Sequence, residues 1–313
     1  MKILVTGGCG YKGSVLVPKL LLQGHSVTVV DIQWFGNALP NHPHLTVIKG
    51  DTREPQTSWF EKVDAVIHLA AVANDPCSDL DPSLSWEIGP LATMRLVEMA
   101  IAHGVKQFVY ASSGSVYGVS DAPQVTEALP LNPISIYNKT KMVTERVVLS
   151  YADQIAVQIV RPATVCGPSP RMRLDVSVNM MAMQALTNKV MTVFGGDQVR
   201  PNIHIEDITD LYLFFLAHPD IRGVYNAGFE NISIMDIAKR VQKYVPAEIK
   251  VTPSNDPRSY RLNSDKLLKT GFKPKHSVQD AIQQIVERHQ KGLLQEGVNC
   301  YNLKQMKALG VVG

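Results

Sequence analysis

The chain of 313 residues is 45% hydrophobic and 19% charged, a globular composition that excludes disordered and fibrous classes. Its formal net charge of +3 gives little electrostatic support for nucleic-acid binding, but it leaves room for a local arginine cluster facing a phosphorylated small ligand. Cys9, Cys77, Cys166 and Cys300 stand far apart without a CxxC pair, which argues against zinc or a disulfide framework and for free thiols in the cytoplasm. No metal site is expected, and no segment approaches the length of a membrane span.

Chain order then gives the architecture. Residues 2–6 and 26–31 are β-rich runs, and residues 11–23 between them carry apolar side chains at helical spacing; together they predict a βαβ unit. Residues 45–49, 65–70, 107–111 and 157–160 are largely apolar, as strands are when helices cover both faces of a parallel sheet. Helical patterns fill the gaps, notably 82–103 and 139–151. The class is α/β, a doubly wound Rossmann sheet over residues 1–165. Beyond about residue 165, Pro168, Pro170, Pro201, Pro219, Pro246, Pro253 and Pro257 break the alternation, so a smaller α/β lobe is expected over residues 166–313. Residues 201–208 and 224–227 look able to return to the sheet.

The first strand runs into Gly7-Gly8-Cys9-Gly10-Tyr11-Lys12-Gly13, a GxxGxxG loop opening a helix. Gly7 permits the turn, Gly10 lets backbone approach a pyrophosphate, Gly13 lets helix pack on strand, and the helix N-terminus supplies free N–H donors. Asp31 closes the second strand 21 residues after Gly10, where a carboxylate accepts from ribose hydroxyls and repels a 2'-phosphate. This favours NAD; an Asp31 that only capped the turn would leave NADP open. Asp51, with Thr52 beside it, is placed either for the adenine edge or as an ordinary turn residue.

Tyr137 and Lys141 stand at i and i+4, on one face of a helix. A lysine ammonium and a positive nicotinamide ring stabilise a phenolate, so Lys141 is expected to lower the Tyr137 pKa and make it a general base. Upstream, Tyr110-Ala111-Ser112-Ser113-Gly114-Ser115-Val116-Tyr117-Gly118 ends a strand at the sheet edge where open α/β folds bind ligands.

In order and spacing, TGGCGYKG, Asp31, HLAA at residues 68–71, SSGSVYG, YNKTK and RPATVCG at residues 161–167 resemble the extended short-chain dehydrogenase/reductases of the NAD-dependent epimerase/dehydratase family. The likeness covers nearly the whole chain. It implies that Ser113 holds the reacting sugar oxygen, with Ser112 and Ser115 as nearest competitors, that Tyr137 removes its proton, and that Lys141 holds the nicotinamide ribose. It implies that Ala70, Ala71 and Pro162 line NAD and that the second lobe binds a sugar nucleotide; His68, a lone histidine at a strand end, reads as a structural polar group and not a catalyst. Asn179, Arg200 and Arg258 match diphosphate contacts there; the alternative for the arginines is a solvated loop. Two residues depart from the pattern. Gly89 replaces an Asn, and Gly89-Pro90 is expected to bend its helix; Lys12 replaces an apolar residue, its amine either near the pyrophosphate or in solvent.

The resemblance also implies a homodimer through helices 82–103 and 139–151. A 4,6-dehydratase of this type carries Asp-Glu after the catalytic hydroxyl, whereas this chain has Gly114-Ser115. The expected reaction is therefore epimerisation through transient C4 oxidation by NAD, with a C4 dehydrogenase or 4-keto reductase as the alternative. A non-catalytic NAD sensor is the alternative outside enzymes.

Overall fold

The computed structural model describes residues 1–120, 122–254, 256 and 258–311; Pro257, one of the expected breaks, lies outside them. A seven-stranded parallel sheet forms the centre, in the order β10-β6-β5-β4-β1-β2-β3. Its strands are β1 (Lys2–Thr6), β2 (Ser26–Asp31), β3 (Leu45–Lys49), β4 (Ala65–His68), β5 (Gln107–Ala111), β6 (Ala156–Pro162) and β10 (Gly223–Ala227). Successive residues of β1 face opposite ways: Ile3 and Val5 enter one core and Leu4 the other, all without exposed surface. A strand buried on both faces must be continuously apolar, which is why these runs do not alternate.

The second lobe carries two small sheets. β9 (Val199–His204) lies between β7 (Thr164–Cys166) and β11 (Glu230–Ser233), and β8 (Val190–Phe194) pairs with β12 (Glu248–Thr252). Residues 200–230 therefore divide. Val224–Ala227 joins the central sheet through β10, whereas residues 201–208 do not return: they form β9 of the three-stranded sheet and the start of a helix. Hydrogen bonding to β7 and β11 on either side satisfies β9 without the central sheet.

The longer helices are α1 (Gly13–Leu22), α4 (Ala92–Ala102), α5 (Ile136–Leu149), α6 (Ser177–Asn188), α7 (Ile205–Ala217), α8 (Ile234–Gln242), α10 (Val278–Gln290) and α11 (Asn302–Ala308); α2 (Asp75–Ser78), α3 (Pro82–Trp86) and α9 (Asp265–Leu268) are single turns. The predicted helix over residues 82–103 is three pieces, because a π-helical turn at Glu87–Leu91 separates α3 from α4. Pro90 inside that turn has no N–H to donate, and the widened turn accommodates it. The Gly89 carbonyl then accepts from Thr93 Oγ1 at 2.6 Å. Likewise β4 stops at His68 and not Ala70, because the chain must turn beneath the glycine loop: a Cβ on Gly7 would lie 2.6 Å from the Ala70 nitrogen.

The strand order reverses between β1 and β4, the switch point where an open parallel sheet leaves a crevice at its carboxyl edge. Gly7 (φ +71°) turns the chain there, and a Cβ on Gly13 would lie 2.3 Å from the Gly8 carbonyl oxygen. Gly13→Ala should therefore push α1 off the loop, costing about 1–3 kcal/mol and lowering the melting temperature by roughly 2–4 °C per kcal/mol. An unchanged thermal unfolding curve would show that the helix does not depend on this contact.

Candidate active site

One cavity of about 510 Å³ opens at the switch point and runs from the glycine loop to the second lobe. Its wall contains Gly7, Gly10, Tyr11, Lys12, Gly13, Asp31, Asp51, Thr52, Ala70 and Ala71, then Ser113, Ser115, Tyr137, Lys141 and Pro162, and finally Arg200 and Arg258. The two halves of the sequence reading thus meet in one space.

At the glycine-loop end, the Asp31 carboxylate accepts from the backbone N–H of Cys9 at 2.9 Å and of Gln33 at 2.7 Å. Burial nevertheless holds its pKa above the ordinary value. Each carboxylate oxygen keeps lone pairs for hydroxyl donors. Asp51 is gripped by the Arg53 guanidinium at 2.7 Å and caps the Arg53 N–H, so it is a turn residue and a wall residue together. The Lys12 amine does not point to solvent: it lies 3.3 Å from the Tyr212 hydroxyl, and burial with Arg173 nearby pushes it down to about 8. Tyr11 donates to the Gly167 carbonyl at 2.6 Å and so ties the loop to the second lobe.

Ser135 caps α5 by accepting from the Asn138 N–H at 3.2 Å, which places Tyr137 in the first turn and Lys141 one turn later. Ser113 Oγ lies 2.7 Å from Ser115 Oγ, which donates to Asn138 Oδ1 at 2.6 Å. Ser112 is removed from competition, since its hydroxyl donates to the buried Glu145. Glu145 in turn pairs with Arg161 at 2.6 Å, and Arg161 donates to the Tyr117 hydroxyl at 2.7 Å. Alternation along β6 sends Arg161 into this buried layer and leaves Pro162 in the cavity wall. His68 sits between Thr6 and Thr93 hydroxyls at 2.6 and 2.9 Å, held neutral by burial at about 3.

Lys141 is not among the side chains that lower the Tyr137 phenol. Lys141 Nζ donates to the Ala111 carbonyl at 2.7 Å and stays 6.0 Å from the Tyr137 ring centre; burial, with Lys12 nearby, brings it down to about 7. Burial raises the Tyr137 phenol, and the groups that oppose this are the Ser113 hydroxyl and the Arg173 guanidinium.

Asn179 is corrected. It has no exposed surface and is absent from the cavity wall; its Oδ1 accepts from the Gly167 N–H at 2.9 Å, while its Nδ2 donates to the Tyr11 hydroxyl and the Arg173 carbonyl. Its amide is spent on holding the 167–173 turn. Arg200 pairs with Asp256 at 2.9 Å and leaves a buried Nη1 without a partner, whereas Arg258 bridges Asp256 and Asp75. Wall residues absent from the sequence reading include Trp34, Phe35, Arg171, Arg173 and Asn302. Their one sequence signal is a pair of arginines in Pro168-Ser169-Pro170-Arg171-Met172-Arg173, directly after the RPATVCG stretch.

A family model described as the NAD dependent epimerase/dehydratase family matches residues 3–228. The chain belongs to that family. It is 30% identical to a UDP-glucose 4-epimerase of Lactobacillus helveticus, over 90% of this chain and 95% of the relative. It is 27% identical to UDP-glucuronic acid decarboxylase 1 of Xenopus tropicalis, over 96% of this chain and 75% of the relative. The NAD complex of the Thermus thermophilus UDP-glucose 4-epimerase superposes with a TM-score of 0.83 at 26% identity, over 94% of this chain and all of that one. The protein is therefore an NAD-dependent enzyme of the extended short-chain dehydrogenase/reductase type. The residues fit NAD: the glycine loop brings bare backbone to the cavity, Asp31 lines the same wall with acceptor capacity left, and Arg171 has a buried Nε without a partner among the described residues.

Arg173 supplies a directional test. Arg173→Met removes a cation that favours the Tyr137 phenolate, so that phenol ionises at higher pH. The rising limb of the pH–rate profile should shift to the alkaline side. A limb that stays in place would remove Arg173 from the acid–base chemistry.

Proposed function

We propose that this enzyme inverts C4 of a nucleoside-diphosphate sugar, with Ser113, Tyr137 and Lys141 as its reacting centre. The observation that carries the reading is the single cavity: glycine loop and Asp31 at one end, Ser113 and Tyr137 at the middle, and Arg200 and Arg258 at the other. The two ends offer a dinucleotide and a sugar diphosphate separate places that meet at Ser113 and Tyr137. The names of the relatives support uridine as the first nucleotide to test. Residues 166–313 are then mainly the sugar-nucleotide lobe, with β10 belonging to the domain of residues 1–165.

NAD, when bound, supplies the acceptor and donor for the two electrons and the hydrogen of the sugar carbon. The chain does the rest. Ser113 orients the C4 oxygen, Tyr137 takes its proton as the C4–H bond breaks, and Lys141 holds the nicotinamide ribose; return of the proton from Tyr137 follows after the keto sugar turns its other face. Dehydration would need an acid beside Ser113. Gly114 and Ser115 occupy those positions, and Ser115 is bonded to Ser113 and Asn138.

We also place the enzyme in the cytoplasm as a homodimer. Four free cysteines support the first and the exposed Leu91 and Met94 beside α5 the second. Light scattering at the monomer mass over a wide concentration range would count against the dimer.

Incubation with the sugar nucleotide should invert the sugar without net change in NADH absorbance. Tyr137→Phe should slow turnover about 10²–10⁴-fold, with little change in the dissociation constant for the sugar nucleotide. Stoichiometric NADH formation would replace epimerase by dehydrogenase, and a near wild-type rate for Tyr137→Phe would place the base elsewhere.

A further inference from the structure

Arg171 is 5% exposed, and among the described residues no carboxylate pairs with it. Its guanidinium stacks on the Phe35 ring at 3.9 Å, its Nη2 donates to Asn302 Oδ1 at 2.6 Å, and its Nε is buried with no partner. A buried cation satisfied only by a neutral amide and a ring is costly, and such a group is stabilised by an anion that reaches it.

Its location specifies the anion. The Arg171 N–H donates to Ser14 Oγ in the first turn of α1, and Ser169 Oγ donates to the Tyr11 carbonyl. The arginine is thus rooted over the helix N-terminus that opens the glycine loop, and its charge acts on Asp31. A phosphate on that N-terminus would lie between the loop amides on one side and the guanidinium on the other.

The arginine is also held from behind. Asn302 begins α11, is 2% exposed, and donates its backbone N–H to Asp175 at 3.0 Å. Gln305 in the same helix donates to the Trp34 carbonyl at 2.9 Å. Met306 and Leu303 pack with Trp34, Phe35, Val72 and Cys77. The helix therefore joins the 171–175 strap to the loop after β2, across the cofactor end of the cavity.

We propose that Arg171 clamps the cofactor pyrophosphate from the second-lobe side and that α11 latches the clamp through Asn302. The proposal rests on the assignment of the glycine-loop end to NAD. The same chemistry could serve the diphosphate of the sugar nucleotide, so the test separates them.

Nucleotide-free wild type, Arg171→Gln and Asn302→Asp would be titrated with NAD, ADP, adenosine and UDP. Arg171→Gln should weaken NAD and ADP about 10- to 100-fold, the range for a charged hydrogen-bond partner, and leave adenosine and UDP unchanged. Asn302→Asp hands the guanidinium an internal carboxylate; it should raise the melting temperature of the nucleotide-free protein while weakening NAD and ADP. This second variant keeps the test open if loss of Arg171 prevents folding. Wild-type affinity for NAD in either folded variant overturns the clamp. Equal losses for adenosine and ADP reduce Arg171 to a structural residue, and a loss confined to UDP moves it to the sugar nucleotide. Failure of wild type itself to bind NAD overturns the site assignment instead.

Discussion

Lysines and arginines outnumber carboxylates in the wall of this cavity, and two of them, Lys141 and Arg171, are buried. Lys12, Lys141, Arg171, Arg173, Arg200 and Arg258 line it, against the carboxylates of Asp31, Asp51, Asp75 and Asp175. Asp51 is already taken by Arg53, while Asp256, also outside that wall, pairs with Arg200 and Arg258, and Asp175 pairs with Arg173. Among the described residues Lys12, Lys141 and Arg171 have no carboxylate partner; desolvating them is unfavourable unless an anion enters, and a pyrophosphate is a natural complement. The consequences are visible in the titrating groups: burial and mutual repulsion bring Lys12 to about 8, Lys141 to about 7 and Arg171 to about 10. One member of this cationic wall, Arg173, also favours ionisation of Tyr137, so the proposed anion binding and the proposed acid–base chemistry draw on neighbouring charges.

Beneath Ser113 and Tyr137 lies a polar layer whose members, Ser112 apart, lie outside the cavity wall. Glu145 holds Ser112 and Arg161, Arg161 reaches the Tyr117 hydroxyl, and that hydroxyl donates to Asn226 Oδ1 at 2.8 Å. Such a network costs more than an apolar core if any member is missing, and it fixes geometry when complete. Here it joins β5, β6, β10 and α5 at the edge that carries Ser113 and Tyr137. Placement of those two side chains therefore depends on contacts up to 109 residues apart in sequence.

That dependence explains what was legible in the sequence. The central strands, the glycine loop, Asp31 and the Tyr137/Lys141 spacing are local patterns, each set by its own turn, strand or helix, and the fold brings the loop, Asp31, Tyr137 and Lys141 around one cavity. Arg171 and Arg173 escaped because nothing in their local sequence says which space a proline-bounded loop will face. Asn179 matched a ligand position by sequence, yet the turn at residues 167–173 consumes its amide. The lysine assigned to the phenol instead satisfies a strand-end carbonyl. Residues 201–208 read as a further strand of the central sheet, and period alone could not say which sheet would pair with them. α11 lies more than 260 residues from the Trp34 loop that it covers, and no short-range signal predicts that contact.

The central claim is that the hydrogen removed from the sugar never leaves the site. The most direct measurement uses the nucleoside-diphosphate sugar that the enzyme inverts, deuterated at C4, with the product read by mass spectrometry and NMR. Tyr137 exchanges only the oxygen-bound proton, so the account predicts full retention of deuterium at C4 in the inverted product, and no deuterium entering carbon when unlabelled sugar is inverted in heavy water. Loss of the label to solvent, or uptake from it at C4, would show that inversion proceeds by proton abstraction at carbon and would contradict the mechanism.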